Sequence, residues 1–86
     1  MASGHPYEPV FANSALEFFL TLPKRRQRVL LDRCRELAAD PGLVPDFQSK
    51  DATGRDISHL LVDGFLFDYW IDDAVKRLVI TAIELE

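Results

Sequence analysis

The sequence predicts an α+β domain in the order βααβββ, a two-helix hairpin packed on one face of a mainly antiparallel, twisted sheet. Three observations carry this. Asp63-Gly64 separates two β-prone runs, residues 57–62 and 65–71, and a tight hairpin turn needs two residues that tolerate positive φ. Two earlier segments show helical spacing and meet at Pro23 with almost no linker, as in an antiparallel helical hairpin. Helices and strands do not alternate along the chain, which separates this arrangement from repeated βαβ units.

Residues 7–11 read as a short first strand, and Pro9 restricts it to an edge or a strand start. Ser14 and Glu17 have the spacing of a capping box, so a helix is expected over 15–21, with Leu16, Phe19 and Leu20 as its apolar stripe. Pro23 holds Leu22 out of the helical region and suits the first position of the next helix. That helix is expected over 24–39. Leu30, Cys34, Leu37 and Ala38 share one face with Gln27 at its edge, while Arg25, Arg28, Asp32, Arg35 and Glu36 fall elsewhere. Asp40-Pro41-Gly42 stops it. Residues 43–54 lack a clear period and read as a loop, with Leu43, Val44 and Phe47 as anchors.

The two-residue turn then fixes partners. Val62 faces Phe65, Leu60 faces Phe67 and Ser58 faces Tyr69 on one side of the sheet. Leu61 faces Leu66, His59 faces Asp68 and Ile57 faces Trp70 on the other. A second turn over 72–75 leads into a last strand over 76–84. A four-residue turn would pair Tyr69 with Leu78, Phe67 with Ile80 and Phe65 with Ala82. Phe65, Phe67, Tyr69 and Ile71 are the bulkiest alternating set and should face the helices. The opposite face would carry Ile57, His59, Leu61, Leu66, Asp68, Trp70, Arg77, Val79, Thr81 and Ile83. An antiparallel sheet covered on one side should be apolar on one face only. A second apolar face of more than a few hundred Å² marks a binding surface.

Length and composition narrow the class. The 86 residues are expected to form one domain over 1–86, with 1–6 disordered. No run approaches a transmembrane length, and the first residues lack a signal-peptide pattern, so a cytoplasmic protein is expected. The single cysteine, Cys34, has no internal disulfide partner and reads as a small core residue. The net charge of −4 is uneven: residues 1–39 carry net +2 and residues 40–86 net −6. A sheet that held a phosphate backbone would need the reverse.

Several segments together resemble the RelE/ParE superfamily of toxins from bacterial toxin–antitoxin modules, a group that includes plasmid-stabilisation systems. Phe19-Leu20-Thr21-Leu22-Pro23-Lys24-Arg25 is similar to the family's helix junction, and Leu37-Ala38-Ala39-Asp40-Pro41 to the end of its second helix. Val62-Asp63-Gly64-Phe65, Tyr69-Trp70-Ile71-Asp72-Asp73 and Leu78-Val79-Ile80 are similar to its central hairpin and last strand. The resemblance covers residues 7–86. It implies a toxin-like protein with an antitoxin-like partner, or a copy of itself, and a ribosome or another protein as target. No cofactor, metal or membrane association is expected from the residues. Members that cleave mRNA place arginines on the two central strands and basic, histidine or tyrosine residues at and beyond the last strand. The matching strand positions here hold His59, Leu61 and Leu66, and the last strand is expected to reach Glu84-Leu85-Glu86. RNA cleavage draws much of its rate from a cation that stabilises the charged phosphorane. The expectation is therefore a member that acts by protein contact.

Four groups are candidates for function. His59 and Asp68 are the pair suited to proton transfer, or else a structural cross-strand pair, and no nucleophile is evident beside them. Trp70 and Arg77 are expected to face each other, as a cation–π pair and interface anchor or as simple packing. Lys24, Arg25, Arg26 and Arg28 form a basic helix face that contacts RNA or only solvent. Asp68, Asp72 and Asp73 come without a His/Cys cluster, so no metal is assigned. Two functions follow, beside a third possibility of an antitoxin-free structural domain that keeps only the fold. The first is protein binding through Ile57, Leu61, Leu66, Trp70, Arg77 and Val79. The alternative is a ribosome-dependent mRNA endoribonuclease using His59 and Asp68, with RNA held by Lys24, Arg25, Arg26 and Arg28.

Overall fold

The computed structural model describes residues 7–85; residues 1–6, expected to be disordered, lie outside the described part. The elements are β1 (Glu8–Phe11), α1 (Asn13–Thr21), α2 (Lys24–Ala39), β2 (Phe47–Lys50), β3 (Asp56–Val62), β4 (Phe65–Asp72) and β5 (Arg77–Leu85). The α+β class and the expected order hold, and the segment expected to be a loop supplies one further strand, β2. The sheet runs β1-β5-β4-β3-β2. Only β1 pairs in parallel, along β5; the other neighbours are antiparallel.

The β3–β4 hairpin has the register the turn dictates, from Val62↔Phe65 to Ser58↔Tyr69. Asp63 and Gly64 both have positive φ, 53° and 82°, as a tight hairpin of this hand requires. One face of the sheet carries Phe65, Phe67, Tyr69, Leu78 and Ile80 into the core, where Ala15, Phe19, Leu30, Cys34, Leu37 and Ala38 meet them from the helices. Burying a large side chain stabilises by about 1.5–3 kcal/mol, so these aromatic and aliphatic rows dominate the stability.

Three local expectations fail for identifiable reasons. The second turn starts one residue later, so Tyr69 pairs with Ile80 and Trp70 with Val79. A shift of two residues in pairing keeps each side chain on its own face. A bulge between Asp68 and Tyr69 then leaves Thr81 as the extra residue, Asp68 pairing with Ala82 and Phe67 with Ile83. The bulge reverses parity beyond it, so Ile83, expected on the outer face, is buried in the core. Ser14 does not cap α1. Its Oγ donates to the carbonyl of Thr81, the extra residue of the bulge, at 2.6 Å, while Ala12 stands at the N-cap of α1 and gives no side-chain cap. The buried face of α1 consequently holds Ala15 and Phe19, with Phe18 and Leu22 packed beside them. Leu16 and Leu20 are exposed.

Candidate functional site

The outer face of the sheet, away from the helices, brings together residues from β2, β3 and β4. The register sets Phe47 opposite His59, His59 opposite Asp68, and Ser49 opposite Ile57. Alternation along each strand puts Phe47, Ser49, Ile57, His59, Leu61, Leu66, Asp68 and Trp70 on this one face. His59 Nδ1 lies 2.6 Å from Asp68 Oδ1. An ionised carboxylate only accepts, so Nδ1 carries the proton and donates it. In the neutral imidazole Nε2 then keeps its lone pair and accepts from Ser49 Oγ at 2.7 Å. Phe47 stacks on the imidazole, with centroids 4.4 Å apart and planes 11° from parallel. The His59 and Asp68 side chains are recessed, 14% and 18% exposed, whereas Ser49 is open to solvent.

Ser49 and the stacking position of Phe47 are not legible in the sequence because β2 is not; Leu43, Val44 and Phe47, expected to anchor a loop to the core, are exposed instead. The signal was present: Phe47 and Ser49 alternate with Gln48 and Lys50, between Pro45-Asp46 and a turn closed by Gly54. Four residues are too few for the period to stand out. Asp46 helps seat the strand. Its N–H donates to the His59 carbonyl at 2.9 Å, and its carboxylate accepts from the Leu61 N–H at 2.8 Å.

Beyond the His59 cluster the outer face is partly roofed by the chain itself. Asp51 Oδ1 accepts from Thr53 Oγ1 at 2.6 Å, Thr53 N–H at 2.8 Å and Arg55 N–H at 3.0 Å. These bonds, led by that from the Thr53 hydroxyl, hold its carboxyl below the usual carboxylate range. The ordered turn sets the Arg55 guanidinium 3.9 Å above the centre of the Trp70 ring. Trp70 therefore has its cation–π partner, but in Arg55. Arg77 faces Asp72 across the strands and lies 3.8 Å from Glu8.

The six residues expected to bind a partner thus separate. Ile57 is 9% exposed and lies outside the core cluster, closed in on the outer face. Leu66, Trp70 and Val79 are half-buried, and Arg77 is exposed towards β1. Leu61 is 53% exposed and Phe47, on the same face, 54%.

The structure does not bring the basic cluster to this face. Lys24, Arg25, Arg26 and Arg28 are exposed on α2, which packs on the other side of the sheet. Arg26 comes within 6.0 Å of the Phe65 ring centre, and none of the four joins an ion pair among the described residues. Asp73 accepts a 2.5 Å hydrogen bond from the Tyr7 hydroxyl, which raises the Tyr7 pKa. Among the described residues no group of three or more His, Cys, Asp or Glu side chains could hold a metal ion. A cavity of about 210 Å³ lies on the helix side, lined by Arg33, Leu37, Leu43, Leu60 and Val62 with Glu36 and Asp40. Its one cation, Arg33, is held by Asp63 and Glu36.

The fold and this arrangement define an α+β domain, two helices on one face of a five-stranded mixed sheet. It is similar to a chain of the RelBE2 toxin–antitoxin complex of Mycobacterium tuberculosis at 19% identity, covering 95% of this chain and 100% of that one with a TM-score of 0.75. A chain of the archaeal RelE–RelB complex of Pyrococcus horikoshii matches at 15% identity over 94% and 96% of the two chains, with a TM-score of 0.70. The intact E. coli RelBE complex follows at 17% identity, 93% and 96% coverage, and 0.60. No protein-family model and no curated protein matches the sequence. The fold is that of the RelE toxins of toxin–antitoxin modules. Among the described residues no helix is long and apolar enough to cross a membrane.

Proposed function

We propose that this chain is the toxin-fold member of a toxin–antitoxin pair and works by gripping another polypeptide on the open part of its outer sheet face. The observation that carries this reading is Leu61. It is 53% exposed at a strand position where an RNA-facing member of the resembled superfamily places a cation. Leu66 faces it across the hairpin, and Phe47 of β2, paired with His59, is its diagonal neighbour. The fold relatives named above are chains of toxin–antitoxin or RelE–RelB complexes, which supports an antitoxin as the resting partner. The test is co-expression with the product of the adjacent small gene, if that gene encodes a DNA-binding N-terminus and a helical C-terminus. A stable complex by light scattering is expected, weakened at least tenfold by Leu61→Asp combined with Trp70→Ala. Unchanged affinity and unchanged self-association in that double variant would refute the reading.

A second reading is favoured by one observation, the His59–Asp68 hydrogen bond at 2.6 Å. A recessed, oriented imidazole is what a ribosome-dependent endoribonuclease would need as its base. It predicts growth arrest with cut mRNA on induction, relieved by His59→Ala. Against it, the basic face of α2 lies across the sheet from His59, so the base and the expected RNA clamp do not share a surface. Intact mRNA after induction removes this reading and leaves the first standing.

A further inference from the structure

We infer that Ser49 is a nucleophile, with His59 as its base and Asp68 as the residue that positions the base, and that the chain reacts at this point with small neutral esters. The inference rests on geometry independent of the protein-binding reading. Ser49, His59 and Asp68 sit on three adjacent strands, β2, β3 and β4, and form one chain of hydrogen bonds of 2.7 and 2.6 Å. That order, nucleophile to base to orienting carboxylate, is the one recognised in nucleophilic hydrolases on unrelated folds. The Nδ1–H bond to Asp68 fixes the tautomer, so the Nε2 lone pair points at the one proton it can take, that of Ser49 Oγ. Phe47 stacked on the ring holds its plane. The base is recessed while the hydroxyl is exposed, so a substrate reaches Oγ without displacing the imidazole.

The surroundings select the substrate class. Phe47 and Leu61 flank the site as exposed apolar side chains. The two nearest cations in sequence are occupied: Lys50 pairs with Asp56, and Arg55 lies over Trp70 with Asp51 at 3.8 Å. An anionic phosphate would find no free charge here, whereas a neutral ester with a short apolar acyl group fits. In the reaction Oγ attacks the carbonyl carbon as its proton passes to Nε2. The carbon–oxygen bond to the leaving group breaks, and the leaving alkoxide takes that proton. Water then attacks the acyl-serine with His59 again as base, releasing the acid and restoring Ser49. Activation of the hydroxyl by the base contributes about 10²–10⁴-fold, and deacylation is slow.

The experiment treats the purified full chain with p-nitrophenyl acetate and follows nitrophenol release, intact mass and peptide mapping. The expected result is a burst with one acetyl group on Ser49, acylation falling about 100-fold or more in Ser49→Ala and in His59→Gln. Asp68→Asn should lower the acylation rate at saturating ester and leave the half-saturating concentration unchanged, which a merely structural residue would not do. Circular dichroism checks folding of each variant, and Ser49→Ala, on an exposed edge strand, keeps the test decisive if His59→Gln unfolds. Acetylation confined to lysines, equal release by Ser49→Ala, or a Ser49 adduct formed equally fast in folded His59→Gln would overturn the inference.

Discussion

Ser14 provides the sharpest test of how this fold is held. As a helix cap its oxygen would accept from backbone N–H groups, and aspartate would serve as well as serine. In the structure its Oγ donates to the Thr81 carbonyl at 2.6 Å, and aspartate has no proton to give at neutral pH. The two roles therefore predict opposite results for one substitution. Ser14→Asp should lose the hydrogen bond, worth about 0.5–1.5 kcal/mol net, and set a negative charge against a carbonyl oxygen. Ser14→Ala should lose the bond alone. For a domain of this size about 1 kcal/mol moves Tm by about 4–8 °C. Thermal melts by circular dichroism and urea titrations of both variants should therefore place Ser14→Asp at or below Ser14→Ala. An aspartate variant as stable as the wild type would restore the capping role and refute the account of the bulge.

Three further outcomes follow. Gly64→Ala should destabilise the hairpin by about 1 kcal/mol, because φ is +82° there and nothing crowds the new Cβ; urea midpoints read it, and an unchanged midpoint would contradict the turn. The Cys34 thiol is fully buried and its pKa is pushed up to about 12 by desolvation, so a disulfide reagent near neutral pH should label it only as fast as the domain unfolds, and prompt labelling of folded protein would disprove this. Asp51 titrates lower when folded than when unfolded. Its contribution is thus complete above the unfolded value and lost as pH falls through the depressed folded one. Trp70, the sole tryptophan, should keep its fluorescence until pH drops below the ordinary carboxylate range, and Asp51→Asn should abolish that acid step.

The central hairpin and the second helix were legible in the sequence because each is specified locally. Asp63-Gly64 fixes both the turn and every pair along β3 and β4, and Leu30, Cys34, Leu37 and Ala38 fall on one helical face without reference to anything else. The features that were not legible depend on distant partners. Ser14 looks like a cap until the bulge in β5 presents the Thr81 carbonyl, and that bulge has no glycine to announce it. Ile83 belongs to the outer face by simple alternation and to the core once Thr81 is extra. β2 is a strand because β3 offers it an edge. At the site, His59 and Asp68 were visible as opposed residues, whereas Ser49 needed β2, and the true partner of Trp70 needed the turn that Asp51 builds.

The outer face is the surface on which binding and chemistry compete. A bare apolar sheet would demand a cover, and part of that cover is supplied internally. Arg55 lies over Trp70, and Ile57 is closed in beside it. Phe47 shields one side of His59. Internal roofing removes Ile57 and Trp70 as freely available contacts, so a bound polypeptide would engage Leu61, Leu66 and the outer side of Phe47, or would first displace Arg55. The second route costs the cation–π contact, about 0.5–1 kcal/mol at an exposed site, which an interface could recover by burying the indole. The routes separate experimentally. If Arg55 must move, Arg55→Ala should tighten partner binding by removing the competitor. If binding is confined to Leu61 and its neighbours, Arg55→Ala should leave affinity unchanged. The second outcome would also leave the Ser49 hydroxyl at the margin of the interface, where a bound partner would decide whether an ester can reach it.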